Sequence, residues 1–500
     1  MNPLRRRDLL LSLKYSTVEA SFSVPMLNLT MPNLPFAIAF AVQALGAGPT
    51  FVAFMAALPH LANFAQPPLT GALRRRLSLF RMIALSFVLS ALPWGFVSFL
   101  PAVSSPEARL LVFGLMIALT TAANSFGSVA WSASIAELVP PRISGRFFGR
   151  RNLIFGFWTL VTVLVAGSVV DAAGGSLAVF GAIYALAAAA RLIGLFFLHQ
   201  MRFPPAVMEL KPPEEFAAVP GGKTPLRNRS YRSLIIYIGG WGLLVNMGLP
   251  FYTVYLLQHL NLSLGTVALL TTTGSFGALL TLKAWGQLID HFGSKPVLGV
   301  CTVLWSLAGA TSWLLANTGF TWHLYLNYLV VGAATAGFQL CQFNLMIRLA
   351  PTEARAEYIS TFLSVTSLLT AAGPLLGGIL IAALPARVGN PFGLELTNYQ
   401  LLFVIPLLLG LTLTRVLRGI AEPDEQSTEA VWKMMRSMKT FNPLLGMSTA
   451  VEFLFTPRGM LGLARTSIRS LRRHARNISE VGNTMLRAGK RGRRRAPSNS

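Results

Sequence analysis

The sequence predicts an all-α integral membrane protein, with twelve transmembrane helices in two six-helix bundles and a basic cytoplasmic tail behind them. Three observations lead there. Of the 500 residues, 53% are hydrophobic types and 12% are charged, about half the charged fraction of soluble proteins. Apolar runs long enough to cross a bilayer, about 20 residues each, recur along the chain. And 38 of the 42 lysines and arginines fall on one side of the topology those runs define. So few charges cannot supply the polar skin that a soluble chain of this length needs. The same hydrophobicity excludes disorder for most of the chain.

In order, the spans are expected near 15–43, 50–70, 79–101, 109–133, 152–172, 176–199, 232–257, 264–288, 296–316, 322–347, 357–384 and 398–418. The first is interrupted by Pro25, Pro32 and Pro35 and is expected to kink, since neighbouring helices can satisfy the carbonyls a proline frees. Basic residues follow the even-numbered spans: Arg74, Arg75, Arg76 and Arg81; then Arg142, Arg146, Arg150 and Arg151; then the stretch from Arg202 to Arg232. Lys295, Arg348 and Arg355 continue the bias, whereas Arg109 and Arg387 fall on the other side and Arg191 and Lys283 lie within spans. Lysine and arginine mark cytoplasmic loops, so both termini are placed inside and the protein is expected in the cell (cytoplasmic) membrane as a multi-pass protein. The arginine-rich start imitates a secretory signal, but no small-residue cleavage site follows, so an uncleaved first span is the reading.

The stretch 200–231, with Pro204, Pro205, Pro212, Pro213 and Gly221–Gly222, divides six spans from six. This gives four segments: a bundle over 1–199, a cytoplasmic linker over 200–231, a bundle over 232–420 and a tail over 421–500. Landmarks repeat between the halves. Gly71 and Gly286 close the second span of each, 215 positions apart, and Pro140 and Pro351 follow the fourth, 211 apart. Each half begins and ends inside, so the repeat is parallel.

Two loops and one span then resemble the major facilitator superfamily. Gly286-Gln-Leu-Ile-Asp290-His-Phe-Gly293-Ser-Lys295 is similar to that family's signature after the second span of a half. Gly286 suits close helix approach, Gly293 a tight turn, and Asp290 an anion facing a helix N-terminus or an arginine. The first half departs from the pattern, with Arg75 where the acid is expected. Val139-Pro-Pro-Arg-Ile-Ser-Gly145-Arg146-Phe-Phe-Gly149-Arg150-Arg151 resembles the loop between spans four and five, and Ala372-Gly373-Pro374-Leu375-Leu376-Gly377-Gly378 resembles the packing run of span eleven. The resemblance covers roughly 15–420. It implies a secondary carrier that exposes a small organic solute alternately to the two membrane faces. It also implies that Gly286, Asp290, Gly293, Lys295, Arg146 and Arg355 serve gating at the inner face.

In that family the cavity is lined mainly by spans one, four, seven and ten. Polar groups in hydrocarbon are costly and normally face a partner or water. Asn28, Asn124, Trp241, Asn246, Gln339 and Gln342 are therefore the candidate substrate-binding residues; Gln339 and Gln342 share a helix face. This mixed amide and aromatic lining suits a neutral or amphipathic solute. Tyr252 is read either as a stacking surface or as an interfacial anchor. Glu19 is the one carboxylate clearly inside a cavity span and is the candidate for proton or cation coupling; a mouth residue paired with Lys14 is the blander reading. Arg191 could hold an anionic substrate, but span six is usually peripheral in the family, so a partly snorkelled structural role is expected.

No phosphate-cradling loop, zinc-type His-Glu-x-x-His or nucleophile elbow is present, so no enzyme activity, cofactor or metal is expected. Cys301 and Cys341 read as small hydrophobes. From 421 onward the tail is basic overall, and Arg465, Arg469, Arg472 and Arg473 alternate with apolar residues, as in a helix lying on anionic lipid. It lacks a stacking platform for nucleic acid. The expected partners are a small solute and the bilayer, and a monomer is favoured. The alternative function is a non-transporting membrane scaffold or assembly factor of the same fold, docking through its tail.

Overall fold

The structure is a computed structural model that describes residues 6–103, 105–210, 225–317, 319–389, 396–422 and 427–437. The basic amphipathic segment of the tail, within 438–500, and linker residues 211–224 lie outside the described residues. The chain divides into one unit ending at Val431 and another beginning at Trp432.

Helices dominate. They are α1 (Arg6–Thr30), α2 (Pro35–Ala39), α3 (Pro49–Arg74), α4 (Leu79–Gly95), α5 (Pro106–Leu138), α6 (Pro141–Ala172), α7 (Leu177–His199) and the short α8 (Pro205–Met208). Then come α9 (Arg229–Val254), α10 (Leu264–Phe292), α11 (Ser294–Leu315), α12 (His323–Arg348), α13 (Arg355–Ala383), α14 (Asn398–Leu413) and α15 (Thr428–Ser437). A small hairpin, β1 (Arg387–Gly389) with β2 (Leu396–Thr397), joins α13 to α14. Nine helices among the described residues are long and apolar enough to cross a membrane, and the bent pair α1–α2 makes up to ten. The other two expected spans are α3, which holds Pro59, Pro67 and Pro68, and α4, which has 17 residues.

Local chemistry sets the boundaries. Proline opens α2, α3, α5 and α6, where its missing N–H costs nothing. Ser78, Ser105, Asn228 and Ser263 accept a backbone N–H at the starts of α4, α5, α9 and α10. Pro35 forces Leu34 into an extended conformation, and α1 and α2 meet at 43°. Gly293 separates α10 from α11 at φ +88°, a value that glycine adopts without strain. By contrast, a Cβ on Gly286 would meet nothing within 4 Å. No helix approaches Gly286 in this arrangement.

The repeat extends beyond the sequence landmarks. Wide π-type turns occur at Phe40–Ala44 and at Tyr255–His259, again 215 positions apart. The left-handed residues after them, Gly46 (φ 67°) and Asn261 (φ 52°), keep the same offset. So do the closing backbone hydrogen bonds, Ala47 N–H to Ala41 O and Leu262 N–H to Leu256 O.

α1 starts at the face that also carries Arg74–Arg76 and Arg348, the basic face; the opposite one is the far face. At the far face a single hydrophobic cluster runs through both halves, from Phe36, Phe40, Trp94 and Tyr184 to Phe251, Tyr252, Trp313 and Phe403. A second cluster, at the basic face, draws only on residues 13–207. Large apolar side chains such as Leu115, Leu186 and Ile379 are exposed on the exterior, as lipid-facing residues are.

Candidate functional site

The halves meet through α3 with α13 and through α6 with α10. At the far face the Asp171 carboxylate, at the end of α6, accepts the backbone N–H of Leu264 (2.8 Å) and of Gly265 (2.7 Å) at the start of α10. A helix N-terminus presents unpaired N–H groups and partial positive charge, so a carboxylate is the fitting partner. A Cβ on Gly167 would stand 3.2 Å from Gly265 Cα, and one on Gly378 would stand 2.5 Å from Ala53 Cβ. Small residues thus let both helix pairs close.

Nearer mid-depth, the His60 side chain of α3 meets the Asn246 amide of α9 across the halves. Asn246 also donates to Gly242 O at 2.8 Å.

A cavity of about 340 Å³ opens inside the first half among α1, α3, α4, α5, α6 and α7. Its charged lining is Glu19, Arg151 and Arg191. By helical rise, Glu19 lies about 20 Å along α1 from Arg6, Arg151 about 15 Å along α6, and Arg191 about 12 Å before the end of α7. Glu19 is 3% exposed. Its Oε1 accepts the Ser23 hydroxyl at 2.6 Å. Its Oε2 stands 3.7 Å from Arg151 Nη2, an ion pair longer than a hydrogen bond. The Arg151 guanidinium lies over Trp131, 4.3 Å from the ring centroid, and that of Arg191 over Phe87 at 3.7 Å. Such stacking is worth about 2 kcal/mol when desolvated. Arg191 is 6% exposed. The Nε of each arginine and Asn124 Oδ1 have no protein hydrogen-bond partner among the described residues. Arginine stays protonated in proteins, so the cavity holds two cations against one anion. An unpaired buried charge costs several kcal/mol.

Two expectations change here. Arg151 belongs to the cavity wall and not to the loop: α6 starts at Pro141, well before its apolar run, and carries Arg151 inward. Arg191 does not snorkel, because α7 packs against α1 and α4 and its polar end is enclosed.

Of the candidate binding residues, Asn124 lines this cavity. Asn28 donates to Thr159 Oγ1 at 3.1 Å and lines a separate, wider cavity of about 780 Å³ between α1, α2, α6 and α10. Trp241 is a core residue and not a stacking surface: it is buried, with Phe338 at 5.6 Å and Trp305 at 5.2 Å between ring centroids. Tyr252 is likewise buried, stacked on Trp313 at 4.5 Å. Gln339 is exposed and Gln342 is half-buried; neither lines the cavity of Glu19.

Of the gating candidates, Asp290 is exposed in the last turn of α10 and Arg355 is exposed at the start of α13. Arg146 falls early in α6, where only its backbone is described. The carboxylate at the N-terminus of α11 is not Asp290 but Glu422, from the segment that the sequence assigns to the tail. Its side chain is fully buried, accepting Ser294 N–H (3.0 Å), Lys295 N–H (2.7 Å) and Arg348 Nη1 (3.0 Å).

Residues 236–468 match the sequence model of the Major Facilitator Superfamily. No curated protein sequence matches the chain. Among solved structures, the fold is similar to that of the nucleoside transporter NupG, with TM-score 0.60 and 14% identity over 82% of this chain and 98% of that one. It is similar to a bacterial homologue of the iron transporter ferroportin in an inward-facing state, with TM-score 0.63 and 16% identity over 82% and 98%. It is also similar to the xylose transporter XylE from E. coli in an inward open conformation, with TM-score 0.60 and 14% identity over 84% and 99%. At these identities the likeness establishes the fold.

Proposed function

We infer that the chain is a carrier of the major facilitator type, on the match of residues 236–468 to that superfamily's sequence model and on its fold, and that it moves a small organic solute across a membrane by alternating access. The observation that carries this reading is the far-face hydrophobic cluster shared by the two halves, beside a basic-face cluster that draws on the first half alone. Two bundles joined at one end and able to part there can expose a mid-depth site to either side in turn. On this reading the halves 1–199 and 232–420 are the moving bodies, and the basic face is cytoplasmic in a cell membrane. The arrangement described is then the inward-facing one. The inward-facing ferroportin homologue and the inward open XylE, to which the fold is similar, are in keeping with that reading.

Glu19 is the coupling candidate of this reading. It is buried, it touches Arg151, and it borders the cavity. Protonation would release Arg151, and its loss would recapture it. The monomer is the working unit of this reading, with the tail resting on anionic lipid.

Flux across proteoliposomes tests it. Purified protein is screened with carboxylates, sugars, nucleosides and amino acids. Saturable, protein-dependent flux of at least one class is expected. Its absence for every class, with protein shown to be folded and inserted, overturns the reading.

A further inference from the structure

We propose that the first-half cavity takes an organic monoanion, a carboxylate with an apolar or aromatic body, held by Arg191 and Arg151. This rests on the transport reading above and names its substrate class. Charge is the first ground. The cavity's charged lining is two guanidinium groups and one carboxylate, and Glu19 already stands against Arg151. One positive charge is therefore in excess, and Arg191, which Glu19 faces without pairing, is the guanidinium left open to a ligand. It is buried, its plane is fixed on the Phe87 ring, and its Nε is unpaired. A planar fork held in one orientation is suited to a carboxylate.

The walls are the second ground. Phe87, Trp131, Phe155, Leu27 and Met31 supply apolar surface, with Asn124 offering an unpaired carbonyl oxygen. That is the make-up of a small-molecule site, mostly apolar with a few convergent polar groups. A cation entering would meet two guanidiniums. A dianion would leave one negative charge in excess.

The repeat is the third ground. By the two offsets already found, Glu19 corresponds to Leu234 and Arg151 to Phe362, and both of these are buried apolar residues. The same architecture thus packs without these charges in the second half. They are not needed to build a six-helix unit.

The test is a thermal-shift titration of the purified, detergent-solubilised full chain. The probes are sodium acetate, benzoate and 3-phenylpropionate, each beside its uncharged amide, with sodium chloride as the ionic-strength control. A ligand of the native state raises the melting temperature by mass action. At least one acid, benzoate or 3-phenylpropionate before acetate, is expected to raise Tm clearly more than its amide and more than chloride. The shift disappears in Arg191→Gln. In Arg191→Lys it is retained at a tenfold or higher ligand concentration. The proposal is overturned if no acid exceeds its amide, or if the shift survives unchanged in Arg191→Gln. Should Arg191→Gln not fold, the acid–amide comparison in the parent and the Arg191→Lys titration decide alone. Binding of an acid without flux would sink the transport reading and leave this site standing. Flux of uncharged solutes without acid binding would do the reverse.

Discussion

Asp171 of α6 accepts the Gly265 backbone N–H of α10 at 2.7 Å, and so one half of the protein caps a helix of the other. The contact lies where Gly167 lets the two backbones approach. Closure of the far face therefore rests on a few identifiable groups, and each can be altered singly.

Enlarging Gly167 opens that face. In Gly167→Val the added side chain meets Gly265 Cα and Leu264 O, each 3.2 Å from the Cβ alone. A cysteine at Ala53, 2% exposed in this arrangement, then gains reactivity toward a membrane-impermeant thiol reagent. Cys301 and Cys341 are both buried and contribute little background. About a tenfold increase in labelling rate is expected, equivalent to a ~1.4 kcal/mol shift between states. An unchanged rate would show that α6 and α10 do not control access.

Glu19→Gln separates coupling from binding. On the proposed coupling role of Glu19, flux of a coupled solute in the parent depends on pH. Arg151 of α6 and Arg191 of α7 are the charged groups facing this carboxylate; Ser23 of its own helix donates to it. The variant is expected to keep flux and lose its pH dependence. A preserved pH profile removes Glu19 from the coupling role.

Glu422→Gln destabilises the second half. It weakens the cap on α11 and leaves Arg348 without its carboxylate. Charge-assisted hydrogen bonds contribute about 1.5–3 kcal/mol, so a fall in Tm of several degrees is expected by calorimetry or light scattering. No change would mean that water replaces the carboxylate without cost.

Gly377 and Gly286 make a contrasting pair. A Cβ on Gly377 would stand 2.2 Å from Met247 O, whereas one on Gly286 meets open space. Gly377→Val is expected to cost about 1–3 kcal/mol by overpacking, and Gly286→Ala to leave Tm unchanged or slightly raised. Equal losses would contradict the packing described for α13.

Much of the architecture was legible in the sequence because hydropathy is written in long runs and positive charge is written in loops. The offset of 215 between Gly71 and Gly286 reappears in the turns at Phe40–Ala44 and Tyr255–His259. The site was less legible, for physical reasons. Arg151 follows Arg150 and sits just ahead of an apolar run, so composition alone assigns it to a loop; only the early start of α6 carries it inward. Arg191 stands mid-span beside a lone mid-span carboxylate, Glu19, and that coincidence was the available signal for a shared cavity. Trp241 shows the opposite failure, since sequence spacing does not tell an aromatic in a core from one at a ligand. The roles of Glu422 and Asp171 were not legible because their partners are largely backbone N–H groups, which leave no mark in the sequence.

The most direct test of alternating access needs no solute. Spin labels are placed at Ala173 and Leu269, exposed positions just after α6 and on α10 near the Asp171 contact, and their separation is measured by pulsed electron resonance in lipid nanodiscs. The account predicts two populations, a short distance from the closed far face and a longer one. Asp171→Asn should enrich the longer by roughly fivefold, the effect of about 1 kcal/mol at a helix N-terminus. A single short distance, unchanged in Asp171→Asn, would contradict it.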